Sequence, residues 1–463
     1  MGGPAKQTGK KPAIGNTKTI LVVYGGNQLA CFVICCEDRV SDMPMRVLFY
    51  SGNYSPELTG VGRYCGELGA HLASRNALVR VVTTAPHYPG WKVHKPHPNF
   101  AYRSETIDGV RVTRCPMLMR ARMRGIWRLL APLSFALFSA PVFLWLALRW
   151  RPQVILVVEP TLFVSPVGLL AARLVAARTI LHVQDLEVDA AFAVGHLSGS
   201  LARRVALFSE RWLLAKFSHI VTISNQMARR LNQRGVPEPR LHVIRNWVDT
   251  RKIYPMSGAN PFRQEFGIAP TQFVVLYAGN IGAKQALRQV LDAAEALQHL
   301  SNITFVIAGE GPEKPLLQSR YGTLTNVKFI PLQPEERLCD LLNLADVHVL
   351  PQQACAADLV LPSKIGGMLA SGRPIVAAAA PGTELHDFLR DVAVLVPPGD
   401  SGAMREGITR LIECGAENIK DASAQLVLLD ARTNLKKFED IILRGRVYPD
   451  VDETEVPCLQ KGA

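Results

Sequence analysis

The chain has 463 residues, more than a single hydrophobic core usually holds, so we expect at least two domains. Hydrophobic residues make up 48% of it and charged residues 20%, a composition that excludes a disordered, collagen-like or multi-span membrane protein. Its 52 Lys and Arg outnumber its 39 Asp and Glu, and the net charge of +13 favours an acidic partner such as nucleic acid, anionic lipid or a phosphorylated substrate.

Residues 1–44 differ in character from everything that follows them. A polar opening rich in Gly and Pro leads into a mixed apolar run, TILVVYGGNQLACFVICC. Gly25 and Gly26 interrupt this run and no A-x-A-like cleavage site follows it, which argues against a signal peptide. At Met45 the sequence becomes a complete first strand and loop. We therefore expect residues 1–44 to be a non-native or disordered N-terminal extension.

From Met45 onward, short β-rich runs alternate with longer helical segments, the pattern of parallel α/β proteins. The predicted strands of a first series are 46–51, 78–84, 110–115, 154–159, 179–184, 219–224 and 240–245. Those of a second series are 273–279, 303–309, 327–332, 347–351, 374–379 and 393–398. We predict two doubly wound, Rossmann-like domains, residues 45–246 and 247–420, that face each other across a cleft. A C-terminal helix and tail follow at 421–463.

An arginine-flanked apolar segment interrupts the first series. Eight arginines and no Asp, Glu or Lys lie between residues 111 and 151, and residues 129–148 carry no charge at all. By length this run could cross a bilayer, but Pro132, Pro141 and its place inside a strand–helix repeat argue against a span. We predict that the basic helix 120–151 lies in the interface of an anionic membrane. A buried crossover helix with a basic collar is the alternative.

Two places in the first domain carry candidate ligand contacts. Gly60 and Gly62 stand at the start of the first helix, where a ligand can approach the backbone near the positive helix end. Their spacing is not the dinucleotide fingerprint, and no P-loop motif occurs in the chain. His182 and Asp185 lie at the end of a later strand. We assign all four residues to the acceptor side, with a glycine hinge and a core histidine as the alternatives. No second His lies within helical reach of His182, so we predict no metal.

The loops of the second domain carry the donor-binding and catalytic candidates. Glycines at 279 and 282 free the backbone after a strand, and Lys284 opens the next helix, where an ammonium is favoured only if an anion shares the site. We therefore predict a bound diphosphate. The donor-binding candidates are Gly279, Asn280, Gly282, Gly309, Glu310, Gly311 and Glu384. The catalytic candidates are Lys284, Asp358 and Lys364. A solvated Lys284, a simple loop acid at Asp358 and a helix-dipole partner at Glu384 are the alternatives.

Eight segments occur in one order between Met45 and about Gly415: PELTGVGRYCGELGAHLA, HVQDLEVDAA, VTISNQMARRL, VIRNWVD, YAGNIGAKQAL, IAGEGPEK, LPSKIGGMLASGRPIVA and PPGD. Together they resemble the large retaining GT-B glycosyltransferase family often numbered four. The HVQD, GNIGAKQ and LPSK variants are most similar to its colanic-acid-type, fucosyltransferase-like branch of exopolysaccharide and O-antigen biosynthesis. Two positions depart from the family pattern: Asn280 replaces an arginine, and Gly367 replaces the second glutamate of an E-x7-E motif. Asp358 or a neighbour is the candidate for the first glutamate.

The resemblance implies a GT-B fold and a metal-independent, retaining transfer without a cofactor. The substrates it implies are a nucleotide-sugar donor (GDP- or UDP-sugar) and a polyprenyl-diphosphate-linked or oligosaccharide acceptor. We expect a cytoplasmic protein, peripheral on the inner face of the bacterial cytoplasmic membrane, with no nucleic-acid partner, because the arginines surround an apolar helix rather than alternating with aromatic residues. The alternatives are a sugar-nucleotide epimerase of the same fold, a lipid- or nucleic-acid-binding module, and a catalytically degenerate homologue, which Gly367 suggests.

Overall fold

The chain divides into two compact units, Met1–Pro44 and Met45–Ala463. The computed structural model describes residues 20–25, 28–33, 43–57, 60–88, 91–98, 100–120, 127–160, 162–186, 200–353, 361–415 and 419–445. In the first unit, β1 (Ile20–Gly25) and β2 (Gln28–Val33) pair as an antiparallel hairpin. The assignment of residues 1–44 as an extension stays a prediction.

An eight-stranded sheet forms the first half of the second unit. Its strands are β3 (Arg46–Ser51), β4 (Leu78–Thr84), β5 (Arg103–Ile107), β6 (Val110–Cys115), β7 (Val154–Glu159), β8 (Arg178–Val183), β9 (His219–Thr222) and β10 (Leu241–Val243). Their order is β10-β9-β8-β7-β3-β4-β6-β5, and only β5 runs antiparallel to its neighbour. All seven predicted strands are confirmed. The sequence did not reveal β5, because RSETI lacks the apolar alternation of a half-buried strand.

Helices cover both faces of this sheet. They are α1 (Val61–Ser74), α2 (Trp127–Trp150), α3 (Ser165–Val175), α4 (Ser200–Leu214) and α5 (Asn225–Gln233). Apolar residues of α2 to α5 belong to one core cluster, whereas those of α1 belong to another, so α2 to α5 share one face of the sheet. This division follows from the topology, because α1 leads to β4 on one side of β3 and α2 leads back to β7 on the other.

The second half is a smaller, fully parallel sheet. Its strands, in the order β13-β12-β11-β14-β15-β16, are β11 (Phe273–Ala278), β12 (Ile303–Ala308), β13 (Val327–Ile330), β14 (Val347–Leu350), β15 (Ile375–Ala378) and β16 (Val394–Val396). Its helices are α6 (Pro261–Glu265), α7 (Arg288–Ala296), α8 (Lys314–Tyr321), α9 (Leu338–Asn343), α10 (Ile365–Ala370), α11 (Glu384–Leu389) and α12 (Ser401–Cys414). All six predicted strands are confirmed, and the fold class is the predicted α/β pair of Rossmann-like domains.

The C-terminal helices return to the first half of the unit. They are α13 (Ser423–Leu428) and α14 (Ala431–Glu439), followed by a π-helical turn at Asp440–Arg444. Phe438, Ile441 and Ile442 are fully buried in the core cluster that contains α1. The Arg178 guanidinium donates to the carbonyl of Ile442 at 2.7 Å. The last described helix therefore packs on the first sheet, although it follows the second sheet in the chain.

Among the described helices, only the segment Leu129–Trp150 of α2 is long and apolar enough to cross a membrane, judged by length and composition alone. Core helices pass the same test. Phe135 and Phe143 of α2 are fully buried, and Phe143 stacks on Tyr50 of β3 with ring centres 4.0 Å apart. One side of α2 is therefore part of the core of the first sheet.

Candidate functional site

Tyr277 and Lys364 meet at the carboxyl end of β11. The Lys364 ammonium donates to the Tyr277 hydroxyl at 2.8 Å and lies 4.0 Å from the centre of the Tyr277 ring. That hydroxyl donates in turn to the carbonyl oxygen of Asn280. Burial lowers the pKa of Lys364 to about 7. No carboxylate within the described ranges pairs with this ammonium, so an anionic ligand can supply the balancing charge.

The loops after β11 and β12 touch backbone to backbone. The Gly279 amide donates to the carbonyl of Ala308 at 2.9 Å. At Gly309, where φ is +145°, a Cβ would lie 1.9 Å from the Gly279 carbonyl oxygen. At Gly279, where φ is also +145°, it would lie 2.9 Å from the Lys364 Nζ. Only glycine fits both positions, and together they bring the backbone against the lysine.

Glu310 and Gly311 continue this edge of the sheet. A Cβ at Gly311 would lie 2.2 Å from the carbonyl oxygen of Ile281. The Glu310 carboxylate, half exposed, accepts a hydrogen bond from the Lys314 ammonium at 2.7 Å. Lys314 also donates to the Gly309 carbonyl at 2.8 Å and so ties α8 to the loop. The donor-binding role of these residues stays a prediction.

Lys284 lies on the loop that follows β11, and its side chain is exposed. Gly282 precedes a 3-10 turn at Ala283–Gln285, and α7 begins only at Arg288, after Ala286 in a left-handed conformation. The prediction that Lys284 opens the helix is therefore wrong, because Lys284 lies in a 3-10 turn four residues before α7. Among the described acidic side chains, none forms an ion pair with Lys284. Its ammonium remains free to bind an anion.

Glu384 begins α11, as predicted, but it reaches across to the first domain. Its carboxylate accepts hydrogen bonds from the Arg245 guanidinium at 3.0 Å and from the backbone amides of Asn225 and Gln226 at 3.3 and 3.1 Å. These amides form the N-terminus of α5, where a negative charge is favoured. Glu384 and Arg245 are both buried. The structure thus gives Glu384 a contact between domains, and donor binding by this residue stays a prediction.

Two further positions of the second domain stood out in the sequence. Asp358 lies outside the described residues. Gly367 lies on α10, where a Cβ would come 2.9 Å from Cδ1 of Leu342. Any larger residue at position 367 would therefore place its Cβ against the apolar side chain of Leu342.

The start of α1 is built around the buried carboxylate of Glu57. It accepts hydrogen bonds from the amides of His87 and Tyr88, at 2.9 and 3.0 Å, and from the side chain of Asn53 at 2.8 Å. A Cβ at Gly62 would meet the Glu57 carboxylate within 2.4 Å. Gly62 is therefore glycine because Glu57 lies against the first turn of α1.

Tyr88 faces both domains. A Cβ at Gly60 would lie 3.3 Å from its ring. Burial raises the pKa of Tyr88, and the negative charges of Glu57 and Asp185 raise it further. A negative charge on Tyr88 would raise the pKa of Tyr277 in the second domain, so the two side chains lie near each other. Tyr88 therefore lies near Gly60 and Asp185 of the first domain and near Tyr277 of the second.

Two family models match the chain: a glycosyl transferase 4-like domain at residues 59–247 and a glycosyl transferases group 1 domain at residues 272–414. WcaI of Escherichia coli K12, a colanic acid biosynthesis glycosyl transferase, is 34% identical over 404 residues, which cover 85% of this chain and 98% of WcaI. The chain belongs to this glycosyltransferase family.

Solved structures share the architecture of this glycosyltransferase. Sucrose-phosphate synthase from Thermosynechococcus elongatus matches with a TM-score of 0.65 at 16% identity, over 86% of this chain and 98% of that one. HepE from Anabaena, solved in complex with UDP-glucose, matches with a TM-score of 0.60 at 18% identity, over the same shares of the two chains. At such identities the likeness shows the fold alone. That fold is GT-B, as the sequence predicted.

His182 occupies a packing position in the glycosyltransferase. It is 1% exposed on β8, its ring meets that of Phe438 at 4.9 Å, and burial lowers its pKa to about 3. The predicted acceptor-side role of His182 stays a prediction. Asp185, two residues beyond β8, is half-buried near Tyr88. Within the described ranges, no group of three or more His, Cys, Asp or Glu residues could hold a metal ion.

Replacing Gly62 by alanine is expected to destabilise the glycosyltransferase by about 1–3 kcal/mol. Alanine is the better helix former, but its Cβ would collide with the buried Glu57 side chain. Gly402 on α12 is the matched control, because a Cβ there meets only a cap oxygen of Asp400 at 3.3 Å. Urea unfolding of both variants measures the difference. Equal stability of Gly62→Ala and Gly402→Ala would contradict the Glu57 contact.

Sequence reasoning missed Glu57, Tyr88 and Tyr277. Tyr277 lies within a predicted strand, where an aromatic residue normally indicates only β structure. Glu57 stands in a loop, where a carboxylate is ordinarily solvated. The one signal for Glu57 in the sequence was that it comes shortly before Gly60 and Gly62. Glycines at the start of a helix leave room for a neighbouring side chain.

Proposed function

We propose that this glycosyltransferase moves a sugar from a nucleotide-sugar donor to a lipid-linked or oligosaccharide acceptor, with retention of configuration, in cell-surface polysaccharide assembly. The observation that carries the proposal is the edge of the second sheet. There the Lys364 ammonium, the Gly279 backbone and the exposed Lys284 lie on or against one loop. Two cations beside an open backbone suit a diphosphate.

The proposed chemistry needs no metal and no cofactor. The bond between the sugar C1 and the diphosphate oxygen breaks, and an acceptor hydroxyl oxygen bonds C1 on the same face. The acceptor proton leaves with the departing nucleoside diphosphate. Lys284 and Lys364 stabilise the charge that develops on this leaving group, the kind of interaction that supplies several kcal/mol in other enzymes. Asp358 and Lys364 orient the donor sugar.

The relatives support the substrate classes. WcaI is named for colanic acid biosynthesis, and HepE was solved with UDP-glucose. A polyprenyl-diphosphate-linked acceptor resides in the membrane, and α2 presents Leu137 and Trp145 to solvent beside Arg149. We therefore propose that the enzyme is cytoplasmic and peripheral on the inner face of the bacterial membrane, with α2 in contact with anionic lipid.

The direct test is incubation with UDP-glucose or GDP-fucose, with and without a polyprenyl-diphosphate-linked oligosaccharide acceptor. Transfer is expected only when the acceptor is present, and the anomeric configuration of the product, read by NMR, is expected to match that of the donor. Conversion of the donor without acceptor would favour the epimerase. Binding without any turnover, across a panel of GDP- and UDP-sugars, would favour the degenerate homologue.

Donor affinity is expected to weaken as the pH rises above about 7. Lys364 binds the diphosphate as an ammonium, and its pKa in the free enzyme is about 7, so binding above that pH requires uptake of a proton. The dissociation constant of a GDP- or UDP-sugar that binds should rise by up to about tenfold per pH unit between pH 7 and 9. Calorimetric titration of the wild type and of Lys364→Met measures this. The variant is expected to bind weakly at every pH, and the same pH dependence in both proteins would rule out Lys364 as its source.

A further inference from the structure

Helix α4 turns apolar side chains toward solvent. Leu201, Val205, Phe208 and Trp212 are 73%, 57%, 71% and 55% exposed, and their spacing of four, three and four residues puts them on one side of the helix. Glu210, on the opposite side of the helix, is buried and pairs with Arg234 at 2.5 Å, whereas Arg203, Arg204 and Arg211 are exposed. An apolar row of this length on the exposed side of a helix is unusual for a soluble surface.

Helices α2 and α3 show apolar side chains on the same side of the domain. Leu133, Leu137, Trp145 and Leu148 of α2 are exposed, as are Leu170 and Leu174 of α3. All three helices pack their opposite sides into one core cluster on the first sheet, so their exposed rows point away from that sheet together. We call these rows, with that of α4, the outer apolar face. Ten exposed apolar side chains on three helices over one face of the sheet are more than the scattered apolar residues normal on a soluble surface, and such surfaces mark interaction sites.

The exposed charges that the structure describes on α2, α3 and α4 all have one sign. Arg149, Arg173, Arg204 and Arg211 are exposed on these helices, and the Lys216 ammonium lies 5.5 Å from the centre of the Trp212 ring. In the described parts of α2, α3 and α4, no acidic side chain is exposed. A second copy of the chain, packed symmetrically, would bring arginines against arginines. An anionic lipid surface complements this pattern, since headgroups pair with Arg and Lys while Trp, Phe and Leu enter the acyl boundary.

We infer that α4 is a membrane anchor separate from α2, and that α2, α3 and α4 together dock the enzyme on anionic lipid. The inference rests on the proposed function in one respect, because a lipid-linked acceptor gives the docking its purpose. It goes beyond the predicted helix 120–151, because α4 lies in a different crossover and binds through its own apolar row.

The test is cosedimentation of the full chain with vesicles of phosphatidylcholine containing 30% phosphatidylglycerol. The double variant Phe208→Asp/Trp212→Asp is expected to lower vesicle binding by at least about 30-fold, and Trp145→Asp on α2 to lower it separately. Leu316→Asp on α8, at 55% exposure, is the matched control in the second domain and is expected to bind like the wild type. Binding to pure phosphatidylcholine is expected to be weak for all four proteins.

Circular dichroism and sedimentation velocity accompany the binding assay. If the double variant does not fold, Leu201→Asp at the first turn of α4 replaces it. If a folded α4 variant binds vesicles like the wild type, the inference is overturned. If only Trp145→Asp loses binding, α2 carries the membrane contact without α4, and the inference is overturned as well. A dimer that the α4 substitutions dissociate, without an effect on vesicle binding, would also overturn it. Sugar transfer in detergent is expected to be unchanged in the α4 variant, and absence of transfer in the wild type would contradict the proposed function instead.

Discussion

Replacing Lys284 by alanine is expected to lower kcat/KM for sugar transfer by about 100- to 1000-fold, the effect of removing one charged or hydrogen-bonding group from a developing negative charge. The ammonium is exposed and no described acidic side chain pairs with it, so its contribution to stability is small. The melting temperature should therefore stay within error of the wild type. Transfer kinetics and thermal unfolding of the same preparation measure both quantities.

Two controls make the Lys284 result specific. Lys284→Arg keeps the charge and should retain part of the activity. Lys420→Ala removes an exposed lysine of the second domain that pairs with Asp391 at 3.5 Å, and it should transfer sugar like the wild type. Near-wild-type turnover of Lys284→Ala would be fatal to the assignment of the diphosphate to this loop.

Replacing Glu384 by alanine is expected to lower the free energy of unfolding by about 1–3 kcal/mol. The substitution leaves the buried Arg245 guanidinium and the first amides of α5 without their carboxylate. Losing a hydrogen-bond acceptor inside the protein costs more than losing one at the surface, because water does not freely replace it there. Urea denaturation followed by circular dichroism measures the loss.

The Glu384 experiment also separates its two possible roles. If Glu384 serves chiefly to bind the donor, Glu384→Ala should raise the KM for the donor and leave stability unchanged. Glu384→Gln keeps one acceptor oxygen and should lose less stability than the alanine variant. Glu406→Ala, which removes an exposed carboxylate from α12, is the control and should change stability by less than about 0.5 kcal/mol.

Part of the candidate site could be predicted from the sequence. Gly279 and Gly309 lie at the carboxyl edge of the second sheet, because each directly follows a strand whose apolar run is unmistakable, and Lys364, just before α10, reaches the same edge. The prediction for Lys284, on the same loop as Gly279, was less accurate. Lys284 sits in a 3-10 turn rather than at the start of α7, since the left-handed Ala286 breaks the helical pattern without any glycine or proline to announce it.

What the sequence alone determined is the set of elements: thirteen parallel strands in two series, the helices between them and the glycines at loop starts. These follow from periodicity and backbone sterics within a few residues of each position. Which residues contact each other over long distances in the chain was decided only by the tertiary structure. Lys364 meets Tyr277 across 87 residues, Glu384 meets Arg245 across 139, and Phe438 returns to the core of the first domain. Such contacts depend on how crossovers stack on the sheets, and that geometry leaves no local trace in residue order.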